Sequence, residues 1–438
     1  MLKNFLKAGF GSVGAQAINL AALPIISRLY APEEYAVWAI VIATAMIFGG
    51  VACLRYEVAI VLPDDQDDAS ALFLWSIGSS ALMAALVAGV GVLLIVTGFV
   101  QIGEGEVAYH YTLLAPLLVA MTGFTLALQY WAIRQEAYAL NSGAQIGLAA
   151  TTLAVQFYYA LVYGGHATGL IAGSLVGQVI AVATLAAGCL VSGNRPIISA
   201  TVLGRVLPVI REHYRFPLYS MPYSLFGTIR ERASVYVIAL FLSSREVGLY
   251  ALAYRIMNFP VSLISAALRP VVFKESSVQG VAALENRVNR ILHWLALLAT
   301  PMVVVYFYWS EEIFALVFGT RWRDAALYGE FFALPVFTFM FCNWMDRIMD
   351  VIGQQRLTMT LEIVFGSLSV LSLWAAFAAG LGLIYALGMQ CAVLIAYNVS
   401  YLVLAYDRAS YAMAPLLRHL GLIVVVSAAT AMTMELVF

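Results

Sequence analysis

The sequence predicts an all-α polytopic membrane protein. It is organised as two six-helix lobes related by a parallel pseudo-twofold along the membrane normal, with a thirteenth helix at the C-terminus. Three observations predict this. Hydrophobic residues make up 63% of the 438 residues and charged residues 11%, with a mean hydropathy of +0.90. A soluble domain is about 45–50% apolar and about 25% charged. Apolar runs long enough for a helical span, about 20 residues, recur along the chain. Short segments of the first half also reappear in the second. A water-soluble protein has nowhere to hide this much apolar surface, and disorder requires the opposite composition. A β-barrel is disfavoured because its strands alternate with period 2 over about 10 residues, whereas these runs are longer and apolar all round.

Taken in order, spans are predicted at 9–30, 35–61, 71–99, 108–131, 142–163, 168–191, 217–241, 247–270, 289–310, 325–349, 358–379, 382–405 and 415–437. The first run contains Gln16, Asn19 and Pro24 and leads into further spans, so it reads as span 1 and not as a cleaved signal. The longest connection, Ser192 to Phe216, carries Arg195, Arg205, Arg211 and Arg215 beside Val202, Leu203, Val206, Leu207, Val209 and Ile210. That mixture suits an amphipathic helix on the cytoplasmic face. It divides the chain into an N-terminal lobe at 1–195, a linker at 196–216, a C-terminal lobe at 217–406 and an extra span within 407–438. No other loop has room for a soluble domain.

The net charge is −1, so no bulk attraction to nucleic acid is expected. The distribution of base is more informative. With the N-terminus in the cytoplasm, Lys3, Lys7, Arg55, Arg134, Arg195, Arg205, Arg211, Arg215, Arg269, Lys274, Arg287, Arg290, Arg347, Arg356, Arg408 and Arg418 fall inside. Only Arg28, Arg245, Arg321 and Arg323 fall outside. This asymmetry orients the chain. Cys53, Cys189, Cys342 and Cys391 are far apart in apolar segments and read as reduced packing residues.

The repeat rests on three landmarks at nearly one offset. Glu34, Trp38 and Ala39 align with Glu246, Tyr250 and Ala251; Leu54–Arg55 aligns with Leu268–Arg269; Gly169–Leu170–Ile171 aligns with Gly382–Leu383–Ile384. Six spans separate the copies, and an even number keeps orientation, so the repeats are parallel. Two such bundles flanking a cleft suit an alternating-access carrier.

Span 7 carries Arg230, Glu231 and Arg232 near its midpoint, and span 8 carries Arg255. Ionisable groups inside a membrane are costly and mark functional sites by default. Ser220, Tyr223, Ser224, Gly227, Glu231 and Ser234 form one polar stripe of span 7. Arg230 and Arg232 flank it on opposite sides, so both cannot point straight into one cavity, and which of them does is open. Ser12, Gln16 and Asn19 form a second stripe on span 1, which ends at Arg28. Arginine stays charged when buried and presents a planar fork matched to phosphate. The plainer alternatives are a mutually neutralised Arg–Glu pair in span 7 and an Arg28 that reaches to the headgroups. Pro217, Pro222 and Gly227 allow span 7 to bend.

Asp346 and Asp350 lie four apart on span 10 beside Arg347, and Glu362 lies a few residues into span 11. With Glu231 they are the candidates for coupling to a proton or sodium gradient; a solvated helix end is the preferred reading of Asp346 and Asp350. The run Asp64, Asp65, Asp67, Asp68 has calcium-like chemistry but lacks the EF-hand spacing and distal Glu, so it reads as a solvated turn. The five histidines are scattered, with no pair at helical or metal spacing. No cofactor or metal is expected.

These segments carry a resemblance. Arg28 to Ala39 (RLYAPEEYAVWA), Leu54 to Pro63 (LRYEVAIVLP), Arg211 to Tyr219 (REHYRFPLY), the Glu231–Arg232 pair and Arg245 to Arg255 (REVGLYALAYR) are similar to the polysaccharide-transport, Wzx-type branch of the multidrug/oligosaccharidyl-lipid/polysaccharide (MOP) exporter superfamily. The resemblance is diffuse and covers most of the chain. It implies a V-shaped, MATE-like pair of lobes in the bacterial inner membrane. It also implies a flippase that moves undecaprenyl-pyrophosphate-linked oligosaccharide, an O-antigen or exopolysaccharide repeat unit, from the cytoplasmic to the periplasmic leaflet. Arg28, Arg230, Arg232, Arg255, Ser12, Gln16 and Asn19 would then meet pyrophosphate and sugar. A polymerase and other polysaccharide assembly proteins are implied partners. The thirteenth span departs from the commonest twelve-span plan. A multidrug or cation exporter of the same superfamily is the alternative, but three arginines against one glutamate favour an anionic cargo. A membrane polymerase, ligase or acyltransferase would be expected to show a long outer loop or a catalytic His group, and a channel or scaffold does not call for the repeat.

Overall fold

The computed structural model describes residues 2–97, 107–191 and 195–421. Among these residues the chain is helical, with no strand. It divides into two compact units, Met1–Gly248 and Leu249–Phe438. Among the described residues, ten helices are long and apolar enough to cross a membrane. They correspond to predicted spans 2–6 and 8–12. Predicted span 1 is the helix α1 (Leu2–Leu29). Span 7 is broken into shorter pieces, and most of 415–437 lies outside the described residues.

The first unit begins with α1 and α2 (Pro32–Gly49). Pro32 opens α2 and Glu33 and Glu34 occupy its first turn, where a fixed φ and negative charge suit a helix N-terminus. Span 2 was expected to run on to 61. Instead α2 stops at Gly49, and the chain turns through Leu54 and Arg55, both left-handed (φ 52° and 65°), into the short α3 (Tyr56–Ala59). Two consecutive non-glycine residues in this region store strain. The unit continues with α4 (Gln66–Val96), α5 (Val107–Arg134), α6 (Tyr138–Tyr163) and α7 (Ala167–Val191). Leu82, Leu86 and Leu93 of α4 are exposed, as a lipid-facing helix requires.

α6 and α7 meet along a glycine row, Gly169, Gly173 and Gly177, one glycine per turn of α7. A Cβ on Gly173 would lie 2.7 Å from the Thr152 carbonyl, and one on Gly177 2.9 Å from that of Leu148. Small residues at this spacing let backbones approach within a membrane. Because the obstacles at Gly173 include the Thr152 carbonyl of the backbone beside the Gln156 side chain, Gly173→Val is expected to force α6 and α7 apart and to lower the melting temperature of detergent-solubilised protein. Gly143→Val, where a Cβ meets nothing within 4 Å, is the control and should melt like the parent.

After α7, α8 (Ala200–Glu212) is capped by Ser199, whose hydroxyl accepts from the Val202 amide at 3.2 Å. Span 7, expected to bend at its prolines, is interrupted there. Phe216–Ser220 form a π-helical turn around Pro217, α9 (Met221–Arg232) has Pro222 in its first turn, and the helix breaks at Ala233 before α10 (Ser234–Phe241). Gly227 lies inside α9 and makes no bend. Proline lacks the amide that continues the ladder, which accounts for the π turn.

α11 (Ser244–Gln279) spans the boundary of the two units. The second unit continues with α12 (Glu285–Phe318), α13 (Ala325–Cys342), α14 (Asp346–Val351), α15 (Gln355–Ala378) and α16 (Leu383–Ala409). α13 is buried along most of its length. All four cysteines are free and buried, as their apolar surroundings predict.

Candidate functional site

The segment Arg28 to Ala39 is largely structural glue of the first unit. The Tyr30 hydroxyl donates to the Gln156 carbonyl at 2.7 Å. Glu34 accepts from the Ala167 amide at 2.5 Å and so caps α7. The Trp38 indole donates to Ser174 at 3.0 Å. The turn between α1 and α2, and α2 itself, are thereby tied to α6 and α7. Arg28 is exposed, Gln16 and Asn19 are half-buried, and the side chain of Ser12 lies outside the described residues.

Span 7 places its charges unequally. Arg230 is buried, at 7% exposure, with its guanidinium 3.9 Å from the Glu231 carboxylate. Arg232 is half-buried, and its Nε is shut off from solvent with no hydrogen-bond acceptor among the described residues. Below them, Tyr236 of α10 and Thr44 of α2 share a hydrogen bond of 2.5 Å. The bent span is thus seated on α2 within the first unit. Arg255 is half-buried on α11, in the second unit.

The left-handed turn after α2 makes an arrangement that helical reasoning missed. Arg55 lies 3.3 Å from the carboxylate of Glu57, and its Nε donates to the Ser220 hydroxyl at 3.3 Å, in the π turn that opens span 7. Glu57 is fully buried, and neither of its oxygens has a hydrogen bond among the described residues. In a continuous helix, Arg55 and Glu57 would stand on opposite faces, because i and i+2 do not meet. The only sequence signal was an Arg-x-Glu in an otherwise apolar stretch.

The acidic turn is docked and not freely solvated. Arg205 of α8 pairs with Asp65, with Asp68 at 3.1 Å and with Asp67 at 3.7 Å. The Asp67 amide donates to Asp65 at 3.1 Å, and that bond, followed by Arg205, holds the Asp65 carboxyl below the usual carboxylate range. Since the folded value is depressed, this pairing is fully present above the ordinary carboxylate range, near pH 4, and is lost as pH falls through the folded value. A nitroxide on Thr201→Cys should therefore keep one mobility from pH 8 to 5 and loosen only in stronger acid. Arg205→Ala should reproduce the loosened spectrum at neutral pH.

In the second unit, Asp346 lies 3.2 Å from Arg269 and 3.8 Å from Arg347, and Arg347 donates to Asp350 at 3.0 Å. Arg269 also donates to Asn343, at 2.8 Å to its side chain. The two aspartates therefore belong to a partly buried ion-pair network. Glu362 is buried at 5% exposure and accepts from the Tyr397 hydroxyl at 2.5 Å. His293 and His419, unrelated by spacing, have ring nitrogens 3.5 Å apart. Among the described residues no group of three or more His, Cys, Asp or Glu side chains is placed to hold a metal.

Residues 25–327, more than half of the chain, match the family described as polysaccharide biosynthesis protein. No curated protein matches the sequence. Among solved structures, the chain is similar to a multidrug resistance MATE family transporter of the MOP superfamily in its inward-facing conformation, with TM-score 0.69 and 15% identity over 92% of this chain and 94% of that one. It is similar to the lipid II flippase MurJ in its inward closed conformation, with TM-score 0.70 and 12% identity over 97% and 92%. A third likeness is to a MOP superfamily transporter from Pyrococcus furiosus, described as having a binding pocket of reversed polarity, with TM-score 0.62 and 15% identity over 93% and 96%. At these identities the likeness is one of fold. The broken, charge-bearing seventh span, the many-helix membrane architecture and the family match converge, and the chain belongs to the polysaccharide biosynthesis protein family with the fold of the MOP transporters.

Proposed function

We propose that this protein is a flippase for undecaprenyl-pyrophosphate-linked oligosaccharide, moving it from the cytoplasmic to the periplasmic leaflet of the bacterial inner membrane by alternating access. The observation that carries the reading is the arginine content of the spans: Arg230 and Arg232 on α9 and Arg255 on α11, with Glu231 as the one neighbouring acid. A pyrophosphate cannot cross hydrocarbon unaided, and guanidinium groups supply charge-assisted donors that persist out of water. Tyr223, Gln16 and Asn19 are suited to sugar hydroxyls, and Arg28 to the second phosphate or the headgroup layer. Family membership supports a polysaccharide cargo, and the fold shared with a lipid II flippase supports a lipid-linked one. The fold is also shared with a multidrug transporter, but a cationic drug would favour acids where these arginines stand.

The N-terminus is assigned to the cytoplasm by the excess of lysine and arginine on that side. No cofactor is invoked. A proton or sodium gradient is the proposed energy source, and Glu362 is the favoured coupling carboxylate, since it is the most buried of the four candidates and accepts a short hydrogen bond from Tyr397. The direct test is leaflet assignment of a labelled undecaprenyl-pyrophosphate oligosaccharide in reconstituted vesicles. Transfer is expected with the intact protein. Arg230→Ala, Arg232→Ala and Arg255→Ala all transferring like the parent would remove the anion-binding mechanism. No transfer of any lipid-linked sugar would remove the function.

A further inference from the structure

The linker helix α8 has three distinct faces. Val202 and Val209 are buried, and Val209 packs into a cluster with Tyr56, Leu72, Phe73 and Trp131. The backbone is tied down at both ends, by the Ile197 amide donating to Ser70 at 3.0 Å and by the Tyr56 hydroxyl donating to the Ile210 carbonyl at 3.1 Å. Arg205 forms the second face and is consumed by the acidic turn. The third face has no such use. Leu203 and Leu207 are each 60% exposed and sit one turn apart on a single row, and Arg211 continues that row. Tyr214, Arg215 and Leu218 follow it, all exposed. Neither Arg211 nor Arg215 makes an ion pair among the described residues; Glu212, also exposed, lies between them in sequence but turns toward the Arg205 side of the helix.

A helix already anchored through one face does not need leucines on the opposite side for folding. Their exposure next to unpaired arginines fits the boundary between acyl chains and phosphates, where apolar side chains sink and cations meet headgroups. The charge of that boundary matters, because a basic residue at an anionic surface gains about fivefold in local binding. We propose that the Leu203–Leu207–Arg211 face of α8, continued by Arg215, is a bilayer-docking surface that selects anionic phospholipid headgroups. The proposal requires only that the chain span a membrane, and it holds whatever molecule is transported.

The test uses the full chain carrying a nitroxide at Leu203→Cys, the four native cysteines being buried. The protein is placed in phosphatidylcholine vesicles with and without phosphatidylglycerol. The label is expected to be more accessible to oxygen than to a water-soluble nickel chelate, at a depth just beneath the headgroups. Phosphatidylglycerol should deepen it, and Arg211→Gln with Arg215→Gln should abolish that response. A nitroxide on Thr201→Cys should read as aqueous in both vesicles. A label at 203 exposed to the nickel chelate, or shielded from both reagents as in a protein contact, would overturn the docking surface. A depth indifferent to phosphatidylglycerol would overturn the selection of anionic lipid.

Discussion

Arg55→Ala is expected to destabilise the protein by about 3 kcal/mol, the low end of the range for removing one partner from a buried ion pair. The low end applies because the Arg55 side chain keeps 26% exposure while Glu57 keeps 1%. The loss comes from what remains: a carboxylate removed from water, with no hydrogen bond to either oxygen among the described residues and its paired cation gone. Glu57 lies between the spans Pro32–Gly49 and Gln66–Leu94, and burial already pushes its carboxyl up, opposed by Arg55. Arg55→Met combined with Glu57→Leu removes both charges and fills the space, so it should recover most of the lost stability. Thermal unfolding read by a thiol-reactive dye is suited to the comparison, since all four cysteines are buried until the chain opens. If the single and double variants melt together, the pair does not hold this turn. Ser220→Ala should cost far less, because it removes one neutral acceptor, at 3.3 Å, and leaves no buried charge behind.

This pair also marks where the sequence stopped being legible. Membrane character, the order of the spans and the break of the seventh all follow from local chemistry: apolar length and prolines at 217 and 222. Arg230, Glu231, Arg232 and Arg255 were visible because a charge within an apolar run stands out in one dimension. Arg55 and Glu57 were hidden because helical periodicity assigns them to different faces. It is the left-handed backbone at Leu54 and Arg55 that turns them together, and nothing in the side chains there demands that conformation. Arg205 and the acidic turn were hidden for another reason: they are about 140 residues apart in sequence, and long-range pairing leaves no periodic trace. Asp346 and Asp350 read as a solvated helix end because they stand near the cytoplasmic end of span 10, and their partner Arg269 lies on another helix, out of reach of that reading. The glycines at 169 and 173 needed the position of α6 before their role was plain.

Arg232→Ala is expected to lower leaflet transfer of lipid-linked oligosaccharide by at least tenfold while leaving the melting temperature close to the parent. Arg230→Ala should act chiefly by lowering the melting temperature. The two residues are two apart on α9, so they point to nearly opposite sides of the helix, and their surroundings differ accordingly. Arg230 is buried and lies 3.9 Å from the Glu231 carboxylate; removing it takes away a base paired with that acid and empties a buried site, which is a stability defect. Arg232 is half-buried and has an Nε donor without a hydrogen-bond acceptor among the described residues. A charged donor in that condition is unsatisfied until an anion reaches it, and one charge-assisted hydrogen bond contributes about 1.5–3 kcal/mol, or roughly ten- to a hundredfold in rate if it forms only as the cargo crosses. Arg232→Lys separates charge from geometry. A lysine keeps the positive charge and loses the planar fork, so transfer between that of the parent and that of the alanine variant is expected if the fork grips phosphate. Full activity with lysine would mean that charge alone suffices. An Arg232→Ala protein that melts early and transfers normally would assign Arg232 to the framework and leave Arg230 as the residue that meets the cargo.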